Sequence, residues 1–264
     1  MKYYDRNRRC VIQTGHSATA KFWDEKWQDE QIGLYNLESV RPFVDLTAAY
    51  LPAGASILEG GCGAAGKVAA LVDAGYAVTG IDFAENTVRR INRVRPDFEV
   101  QVGNVFALPF HESSFDGYWS FGVIEHFWGG YDMLLREAWR VLKTGGYLFL
   151  TYPSMSPLRR FKAKCRVYRT LPAFQHEPAD FYQFLLDDKD VLTKLTACNF
   201  QVERISRIQS ASGIKQELAL VWKVSQILNI AMPNRLVERV ESGTDSLLAG
   251  VVGHLSIVAA RKTW

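Results

Sequence analysis

The sequence contains little cysteine and no long apolar run. Its four cysteines lie far apart and form no C-x-x-C pair, so neither a zinc site nor a disulfide framework is predicted. The most apolar tract, residues 247–260, is too short to span a bilayer. The charged residues 1–10 also differ from a signal peptide. These absences together predict a cytoplasmic protein in a reducing compartment.

Neither sign of charge is in large excess over the whole sequence. The net charge is +3 over 264 residues, and residues 159–169 alone carry six cations with no acid among them. The basicity is therefore local, which argues against a general nucleic-acid-binding surface. Four histidines are too scattered along the chain to form a metal site, and no metal is predicted: His16, His111, His176 and His254.

The chain does contain enough apolar residues for a large core. Hydrophobic residues make up 48% of the sequence and charged residues 22%, which is an ordinary globular composition. From residue 55 onward, short apolar strands alternate with helical stretches, as in parallel sheets with crossover helices. The sequence therefore predicts an α/β fold: a doubly wound, mostly parallel seven-stranded sheet with helices on both faces.

The predicted elements have the following bounds. The strands are residues 56–59, 77–81, 98–102, 117–120, 147–151, 200–208 and 255–260, and the helices are residues 66–74, 85–93, 132–142 and 189–197. Residues 17–51 are predicted to be helical. Two connections, residues 152–186 and 210–253, are longer than usual and are expected to be functional caps or structural decoration. The second contains a helical apolar pattern that is expected to pack on the domain: Ile214, Leu218, Val221, Trp222 and Ile227.

A glycine-rich turn follows the first predicted strand of the sheet. Residues 57–66 read I-L-E-G-G-C-G-A-A-G, in which Gly61, Gly63 and Gly66 satisfy G-x-G-x-x-G. Asp82 ends the next predicted strand, where a nicotinamide-binding fold has an acid for the ribose. Any nucleoside cofactor held at this crevice could use the same parts, so the spacing leaves the cofactor open.

The carboxylate of Glu59 separates the cofactor classes. Two like charges about 5 Å apart repel by roughly 3 kcal/mol at an effective dielectric constant of 20. A pyrophosphate at this turn would therefore be disfavoured by Glu59. S-adenosylmethionine carries an ammonium and a sulfonium and no phosphate, so Glu59 favours it over a nicotinamide dinucleotide.

Five motifs in order along residues 55–152 resemble those of class I S-adenosylmethionine-dependent methyltransferases, especially the small-molecule branch. They read I-L-E-G-G-C-G-A-A-G, V-T-G-I-D-F-A, G-N-V-F-A-L-P-F, S-F-D-G-Y-W-S-F-G-V-I-E-H-F and V-L-K-T-G-G-Y-L-F-L. Two positions depart from the family pattern: Ala65 stands where glycine is common, and Asn104 where an acid is common. The chain has neither an N-P-P-Y-type tetrapeptide nor a separate RNA-binding domain, so a nucleic-acid acceptor is not expected.

The resemblance implies a cofactor site and a division of the chain. In it, Glu59 would organise the methionine end, Asp82 would accept the ribose hydroxyls and Phe83 would pack on the adenine. The implied site comprises Glu59, Gly60, Gly61, Gly63, Asp82, Phe83, Asn104, Val105, Ser120, Phe121 and Trp23, with Trp27 and Tyr35 as further aromatic candidates. The implied single domain has a helical N-terminal cap (1–54), a cofactor-binding core (55–152) and a substrate lid (153–186 and 210–253).

The tract V-I-E-H-F-W-G-G follows the fourth predicted strand, where this fold exposes groups to the transferred methyl. His126 is the candidate general base for a phenol or hydroxyl acceptor, with Glu125 beside it. The alternative is that one of the two caps the next helix. The acceptor is expected to be a small-molecule or lipid-like compound, and its nucleophilic atom and the oligomeric state remain open. An NAD-dependent oxidoreductase and a non-catalytic S-adenosylmethionine-binding protein are the competing hypotheses.

The basic segment allows three interpretations. Leu158, Phe161, Cys165 and Tyr168 form one helical stripe among the six cations of residues 159–169. Such a helix is expected to be a lid over the active site, an anionic or lipid-linked substrate site with peripheral membrane contact, or a solvated surface. The E-H-F stretch also weakly resembles cyclopropane-fatty-acid synthases, which agrees with a lipid-like acceptor.

Overall fold

The computed structural model describes residues 1–170, 176–217 and 249–264. The strands are β1 (Lys2–Asp5), β2 (Cys10–Thr14), β3 (Ser56–Gly60), β4 (Ala77–Asp82), β5 (Glu99–Val102), β6 (Phe115–Phe121), β7 (Leu142–Pro153), β8 (Arg169–Thr170), β9 (Phe181–Leu185), β10 (Phe200–Ile208) and β11 (Leu255–Lys262). The helices are α1 (Ala20–Gln28), α2 (Leu37–Tyr50), α3 (Gly66–Asp73), α4 (Glu85–Val94), α5 (Asp132–Val141), α6 (Pro157–Lys164), α7 (Asp188–Ala197) and α8 (Ser210–Glu217).

The central sheet has seven strands in the order β10-β11-β7-β6-β3-β4-β5. Its strands are parallel except β11, which pairs antiparallel with both β10 and β7. The predicted α/β fold class is confirmed. The chain moves outward from β3 in one direction through β4 and in the other through β6. The carboxyl ends of β3 and β6 therefore border the crevice where such sheets bind ligands.

The two faces of the sheet bury separate cores because successive side chains of a strand point to opposite sides. Ile57 and Leu58 are adjacent in β3, both are fully buried, and they belong to different core clusters. Trp119 of β6 is also fully buried, and its indole N–H donates to Thr47 Oγ1 at 2.9 Å. That bond satisfies a buried polar group and fixes α2 against the sheet.

The N-terminal region differs from the helical segment expected from its sequence. The predicted helical stretch, residues 17–51, contains α1 and α2, but β1 and β2 pair as an unpredicted antiparallel hairpin ahead of them. The hairpin belongs to a second, four-stranded sheet in the order β8-β1-β2-β9. Pairing of β2 with β9 brings the connection after β7 back across the N-terminus. Local patterns could not predict this pairing because the two strands are far apart in the chain.

The prediction of an apolar stripe on the basic segment is wrong. Helix α6 ends at Lys164, so Cys165 and Tyr168 lie beyond its last turn. Phe161, in the middle of the predicted stripe, is 63% exposed, whereas Arg159 is fully buried. The helix therefore packs through a cation, and the pattern of apolar residues did not identify its buried face.

Three of the six cations in this segment are neutralised within the protein. Arg159 and Lys162 pair with Glu217 at 3.0 and 2.7 Å, and Arg160 pairs with Asp187 at 3.3 Å. Residues 159–169 contain no acid, and the carboxylates that pair with these cations, Glu217 and Asp187, come from other parts of the chain. These three side chains hold tertiary structure and are not available to clamp an anionic substrate or a membrane.

The second long connection is described only in part. Helix α8 occupies residues 210–217 and β11 begins at Leu255. The predicted helical positions Leu218, Val221, Trp222 and Ile227 lie outside the described residues. Among the helices that the structure describes, none combines the length and apolar composition needed to cross a membrane.

Candidate functional site

The glycine-rich turn joins β3 to α3 at the carboxyl edge of the sheet. Gly61 and Gly63 have φ angles of +80° and +51°, and a Cβ added to Gly61 would lie 2.6 Å from the side chain of Val123. A Cβ on Gly63 would lie 2.8 Å from the ring of Trp27. Both positions thus require glycine, for conformation and for space. Ala65 also has a left-handed backbone, with φ +62°, at the position where the resembling family commonly has glycine.

The carboxyl group of Glu59 is buried at the mouth of this turn without full compensation. Glu59 is 1% exposed, and its Oε2 atom has no hydrogen-bond partner among the described residues. Burial raises the pKa of Glu59 to about 8, although the nearby Lys67 ammonium acts to lower it. A buried carboxyl with a free oxygen is costly, and an ammonium or hydroxyl donor of a ligand would satisfy it. The site therefore fits the amino-acid end of S-adenosylmethionine.

Asp82 holds the turn from beneath. Its Oδ2 atom accepts from Gly63 N–H at 2.8 Å, and its Oδ1 atom accepts from Ala84 N–H at 2.9 Å. Burial raises the pKa of Asp82, and the backbone N–H bonds oppose that rise. The carboxylate thus joins the glycine turn to the end of β4. Contact of Asp82 with the ribose hydroxyls remains a prediction. Each carboxylate oxygen accepts one backbone N–H and keeps a lone pair that could accept from a hydroxyl.

The residues predicted to contact adenine lie along the same edge. Phe83 is 45% exposed directly after β4, and Val105 is buried with its Cγ1 atom near Gly60. Asn104 Oδ1 accepts from Phe106 N–H at 2.9 Å and closes the turn after β5. Asparagine is thus suited to this turn, while its amide group remains able to donate toward a ligand.

Ser120 and Phe121 end β6 beside the glycine turn. Ser120 is buried, and its hydroxyl has no partner among the described residues. Phe121 stacks on Trp119, with ring centroids 4.1 Å apart, and Lys67 Nζ lies 5.2 Å from its ring. The prediction for Phe121 did not include this core contact, and the cation above the ring was missed because Lys67 lies outside the quoted motif positions.

His126 lies in a single 3₁₀ turn, Ile124–His126, that follows β6. Its Nδ1 atom is 2.6 Å from the carbonyl oxygen of Tyr182. Because a carbonyl only accepts, Nδ1 carries the proton and Nε2 carries a lone pair. Burial lowers the pKa of His126 to about 4. The imidazole is therefore neutral at physiological pH, with a basic nitrogen for which the described residues provide no partner.

Glu125 is buried beside it and is not an N-cap. Burial raises the pKa of Glu125 to about 8, and its Oε2 atom has no partner among the described residues. The following helix, α5, has Tyr131 at its N-cap position and no side-chain cap bond. The alternative that Glu125 or His126 caps this helix is therefore excluded, and both are left for another role.

Helix α1 covers this region and is held by α4 at its middle and at its C-terminal end. Asp24 accepts from Thr87 N–H, Thr87 Oγ1–H and the Asn86 amide, each at 2.9 Å. Arg90 donates to the carbonyls of Trp27, Gln28 and Glu30 at the end of α1. None of the residues of α1 is buried. Its position therefore depends on these polar contacts more than on a hydrophobic core.

The aromatic residues of α1 divide between two tasks. Trp27 lies on Gly63, whereas Trp23 lies against the ring of His126, with centroids 5.0 Å apart. The prediction selected Trp23 for the cofactor, but Trp27 is the tryptophan that contacts the glycine turn. Tyr35 instead donates to Asp73 at 2.7 Å on the exposed end of α3. Among the described residues, no cluster of three or more His, Cys, Asp or Glu side chains is arranged to hold a metal.

Comparison with known proteins agrees with this geometry. Residues 58–150 match a family described as methyltransferase domain. A probable S-adenosylmethionine-dependent methyltransferase of Mycolicibacterium smegmatis is 33% identical over 106 residues, 40% of this chain and 41% of the relative. Demethylmenaquinone methyltransferase of Renibacterium salmoninarum is 32% identical over 124 residues, 46% of this chain and 51% of the relative.

A solved structure supports the fold over nearly the whole chain. The [4+2]-cyclase SpnF aligns with a TM-score of 0.60 and 18% identity, covering 96% of this chain and 98% of the cyclase. The chain spans only about half the length of the two relatives that it matches. The sheet order, the glycine turn with its buried Glu59 and the matched domain agree in one conclusion. Residues 58–150 match the methyltransferase-domain family, and the chain has the fold seen in class I S-adenosylmethionine-dependent methyltransferases.

Proposed function

We propose that this protein transfers a methyl group from S-adenosylmethionine to a small-molecule acceptor. The buried carboxyl of Glu59, with one oxygen that lacks a partner at the glycine turn, is the observation that supports it most. One relative is named demethylmenaquinone methyltransferase, which supports a small or lipid-like acceptor over a macromolecule.

We assign the donor contacts to residues at the carboxyl edge of the sheet and to helix α1. Glu59 would bind its ammonium, and the backbone of Gly61 and Gly63 would lie under the methionine part. Asp82 would bind the ribose, and Phe83, Asn104 and Val105 would enclose the adenine. Ser120 and Phe121 would lie beside the sulfonium. Trp27, which lies on Gly63, would close the site in place of Trp23, which lies against His126. When bound, the donor supplies an electrophilic methyl group, so the protein needs to align the acceptor and remove its proton.

His126 is the proposed general base, and the connection after β7 is the proposed lid. The Tyr182 carbonyl fixes the proton of His126 on Nδ1, which leaves Nε2 to accept a proton from the acceptor. Tyr182 belongs to β9, so this part of residues 153–186 would form a wall of the proposed active site. Glu125, with its raised pKa, is largely protonated at neutral pH, and we assign it a positioning role beside the base.

Ligand-induced stabilisation tests the proposed donor. We expect S-adenosylhomocysteine at about a hundred times its dissociation constant to stabilise the protein by about 2.7 kcal/mol, because it binds only the folded state. NAD at the same concentration should leave the melting temperature unchanged, since its pyrophosphate would face Glu59. Stabilisation by NAD and none by S-adenosylhomocysteine would instead indicate the oxidoreductase.

Substitution of Asp24 tests whether α1 is the cover of the donor site. We expect Asp24→Ala to weaken S-adenosylhomocysteine binding by about tenfold, the equivalent of one charged hydrogen bond, because it removes three contacts between α1 and α4. Tryptophan fluorescence measures both the affinity and the release of Trp27 from the turn. Glu25→Ala on the same helix, where Glu25 makes only an exposed pair with Lys21, is the matched control. Equal affinities for the two variants would contradict the role of Asp24.

A further inference from the structure

Four aromatic rings from separate parts of the chain group with the ring of His126. Trp23 and Tyr182 contact the His126 ring edge-on, with centroids 5.0 and 5.1 Å away. Phe22 and His16 extend the group, with centroids 5.8 and 5.7 Å from Tyr182. These aromatic residues come from the turn after β2, from α1, from the 3₁₀ turn and from β9. We call these five side chains the ring cluster.

The ring cluster is not a hydrophobic core. Phe22, Trp23, His126 and Tyr182 are half-buried, and His16 is exposed. They belong to none of the three buried core clusters of the described chain. Half-buried rings with an edge-on arrangement leave faces that can stack on another flat ring. The cluster lies next to the donor site because Trp23 also stacks on Trp27, 5.8 Å away, which covers Gly63.

The ammonium group of Lys26 accompanies these rings. Lys26 Nζ lies 4.6 Å from the centroid of Trp23 and 5.1 Å from that of Trp27. Among the described residues, none of the carboxylates makes an ion pair with it, and burial lowers its pKa. Its positive charge acts on both Glu125 and His126. A cationic acceptor would be repelled here, whereas an acceptor that becomes an anion would be stabilised.

We infer that the acceptor is a planar aromatic compound with an ionisable hydroxyl group, stacked within the ring cluster with its hydroxyl at His126 Nε2 and near Lys26. This inference rests on the proposed methyl transfer and specifies its substrate class. The acceptor oxygen gives its proton to Nε2 and forms a bond to the methyl carbon as the carbon–sulfur bond of the donor breaks. The products are an aryl methyl ether and S-adenosylhomocysteine, and the proton then leaves His126 for solvent.

A binding experiment without methyl transfer tests the aromatic and anionic parts of this inference. The probe is 4-nitrophenol, whose ionised form absorbs visible light, titrated into the full chain with S-adenosylhomocysteine present. We expect Trp23→Ala and Tyr182→Ala each to weaken binding about tenfold, because each removes a stacking face. Lys26→Met is expected to lower the ionised fraction of bound 4-nitrophenol.

Matched controls separate these effects from general damage. Trp264 is 96% exposed and Lys21 lies on the outer side of α1 in a pair with Glu25, so Trp264→Ala and Lys21→Met should match the wild type. Wild-type affinity in both ring variants, or an unchanged ionised fraction in Lys26→Met, overturns the inference. The melting temperature with S-adenosylhomocysteine is measured in a separate experiment. If that ligand did not stabilise the protein, the proposed function itself would be overturned.

Turnover and its pH profile test the base. Formation of S-adenosylhomocysteine is measured with 2-naphthol, cyclohexanol and benzylamine, and only 2-naphthol should be methylated. With 2-naphthol we expect His126→Gln to lose about 10²–10⁴-fold in turnover. Its remaining rate should rise about tenfold per pH unit between about pH 6 and pH 8, because an aryl hydroxyl with a pKa of about 10 must then ionise unaided.

The wild type should show no such rise over this range, because burial lowers the pKa of His126 to about 4. The titratable groups that face His126 are Lys26 of α1, Glu125 of the same turn and Tyr182 of β9. Identical pH profiles for wild type and His126→Gln overturn the role of His126. Methylation of benzylamine or cyclohexanol, or none of 2-naphthol, overturns the aromatic acceptor while leaving methyl transfer in place.

Discussion

Replacing Glu59 with Gln is expected to stabilise the ligand-free protein and to weaken S-adenosylhomocysteine binding by about 10–100-fold. The affinity falls because a charge-assisted hydrogen bond to the ligand ammonium is worth about 1.5–3 kcal/mol. The stability rises because burial raises the pKa of Glu59 to about 8. At pH 7 this carboxyl ionises in the unfolded chain but remains largely protonated in the folded protein. The difference lowers the free energy of unfolding by about 3 kcal/mol.

The pH dependence has opposite signs for the two measurements. Between the unfolded pKa, near 4.5, and the folded value of about 8, the native state binds the extra proton, so stability falls as pH rises. Binding of the ligand ammonium requires the carboxylate, so affinity should increase toward pH 8. In Glu59→Gln, affinity should no longer depend on pH in this range. Stability should depend on pH less steeply, because Glu125 still contributes. Chemical denaturation and calorimetric titration measure them.

Glu99→Gln is the matched control for the Glu59 variant, because Glu99 is an exposed residue at the start of β5. It should change neither stability nor affinity. If Glu59→Gln kept wild-type affinity for S-adenosylhomocysteine, the carboxylate would have no part in donor binding. If it lowered the stability of the ligand-free protein, the buried carboxyl would have a partner in solution.

Replacing Glu217 with Gln is expected to destabilise the protein by about 3–5 kcal/mol, because it leaves buried cations uncompensated. Arg159, fully buried, donates to Glu217 at 3.0 Å, and Lys2 and Lys162 donate to it at 2.6 and 2.7 Å. Arg159 Nη1 also donates to the carbonyl of Ser154 at 2.7 Å. Carbonyls alone do not neutralise the guanidinium, so loss of the carboxylate should lower the melting temperature by roughly 6–20 °C.

Two further measurements keep this prediction specific. Burial would raise the pKa of Glu217, but Lys2, Lys162 and the Tyr168 hydroxyl outweigh it and lower the pKa to about 2. The stabilisation is therefore present above the unfolded pKa of about 4.5 and is lost as pH falls toward 2. The double variant Arg159→Met, Glu217→Met should recover much of the loss, because it removes the buried charge as well.

The exposed pair Arg41–Asp45, 3.6 Å apart on α2, gives the control. Asp45→Asn is expected to cost less than about 1 kcal/mol, as exposed ion pairs usually do. A melting temperature for Glu217→Gln equal to that of Asp45→Asn would show that α6, α8 and β1 are not joined by this carboxylate.

Residues adjacent in the chain determined the central fold and the donor end of the site. The bounds predicted for β10 agree with the structure, and those of β3 and α3 agree within one residue, because apolar periodicity is local. The position of Glu59, Gly61 and Gly63 at one turn could be predicted for the same reason: the turn and the strand before it place them without help from distant residues. Asp82 followed because parallel strands end at one edge.

Only the tertiary structure decided what surrounds that core. Three contacts join parts of the chain that are 56 residues or more apart. They are β2 with β9, Arg159 with Glu217, and His126 with Tyr182. A charge pattern also cannot tell a solvated arginine from a buried one, because burial depends on the arrival of a carboxylate from elsewhere. Local sequence specified the glycine turn with its buried carboxyl, and long-range pairing built the surroundings of His126.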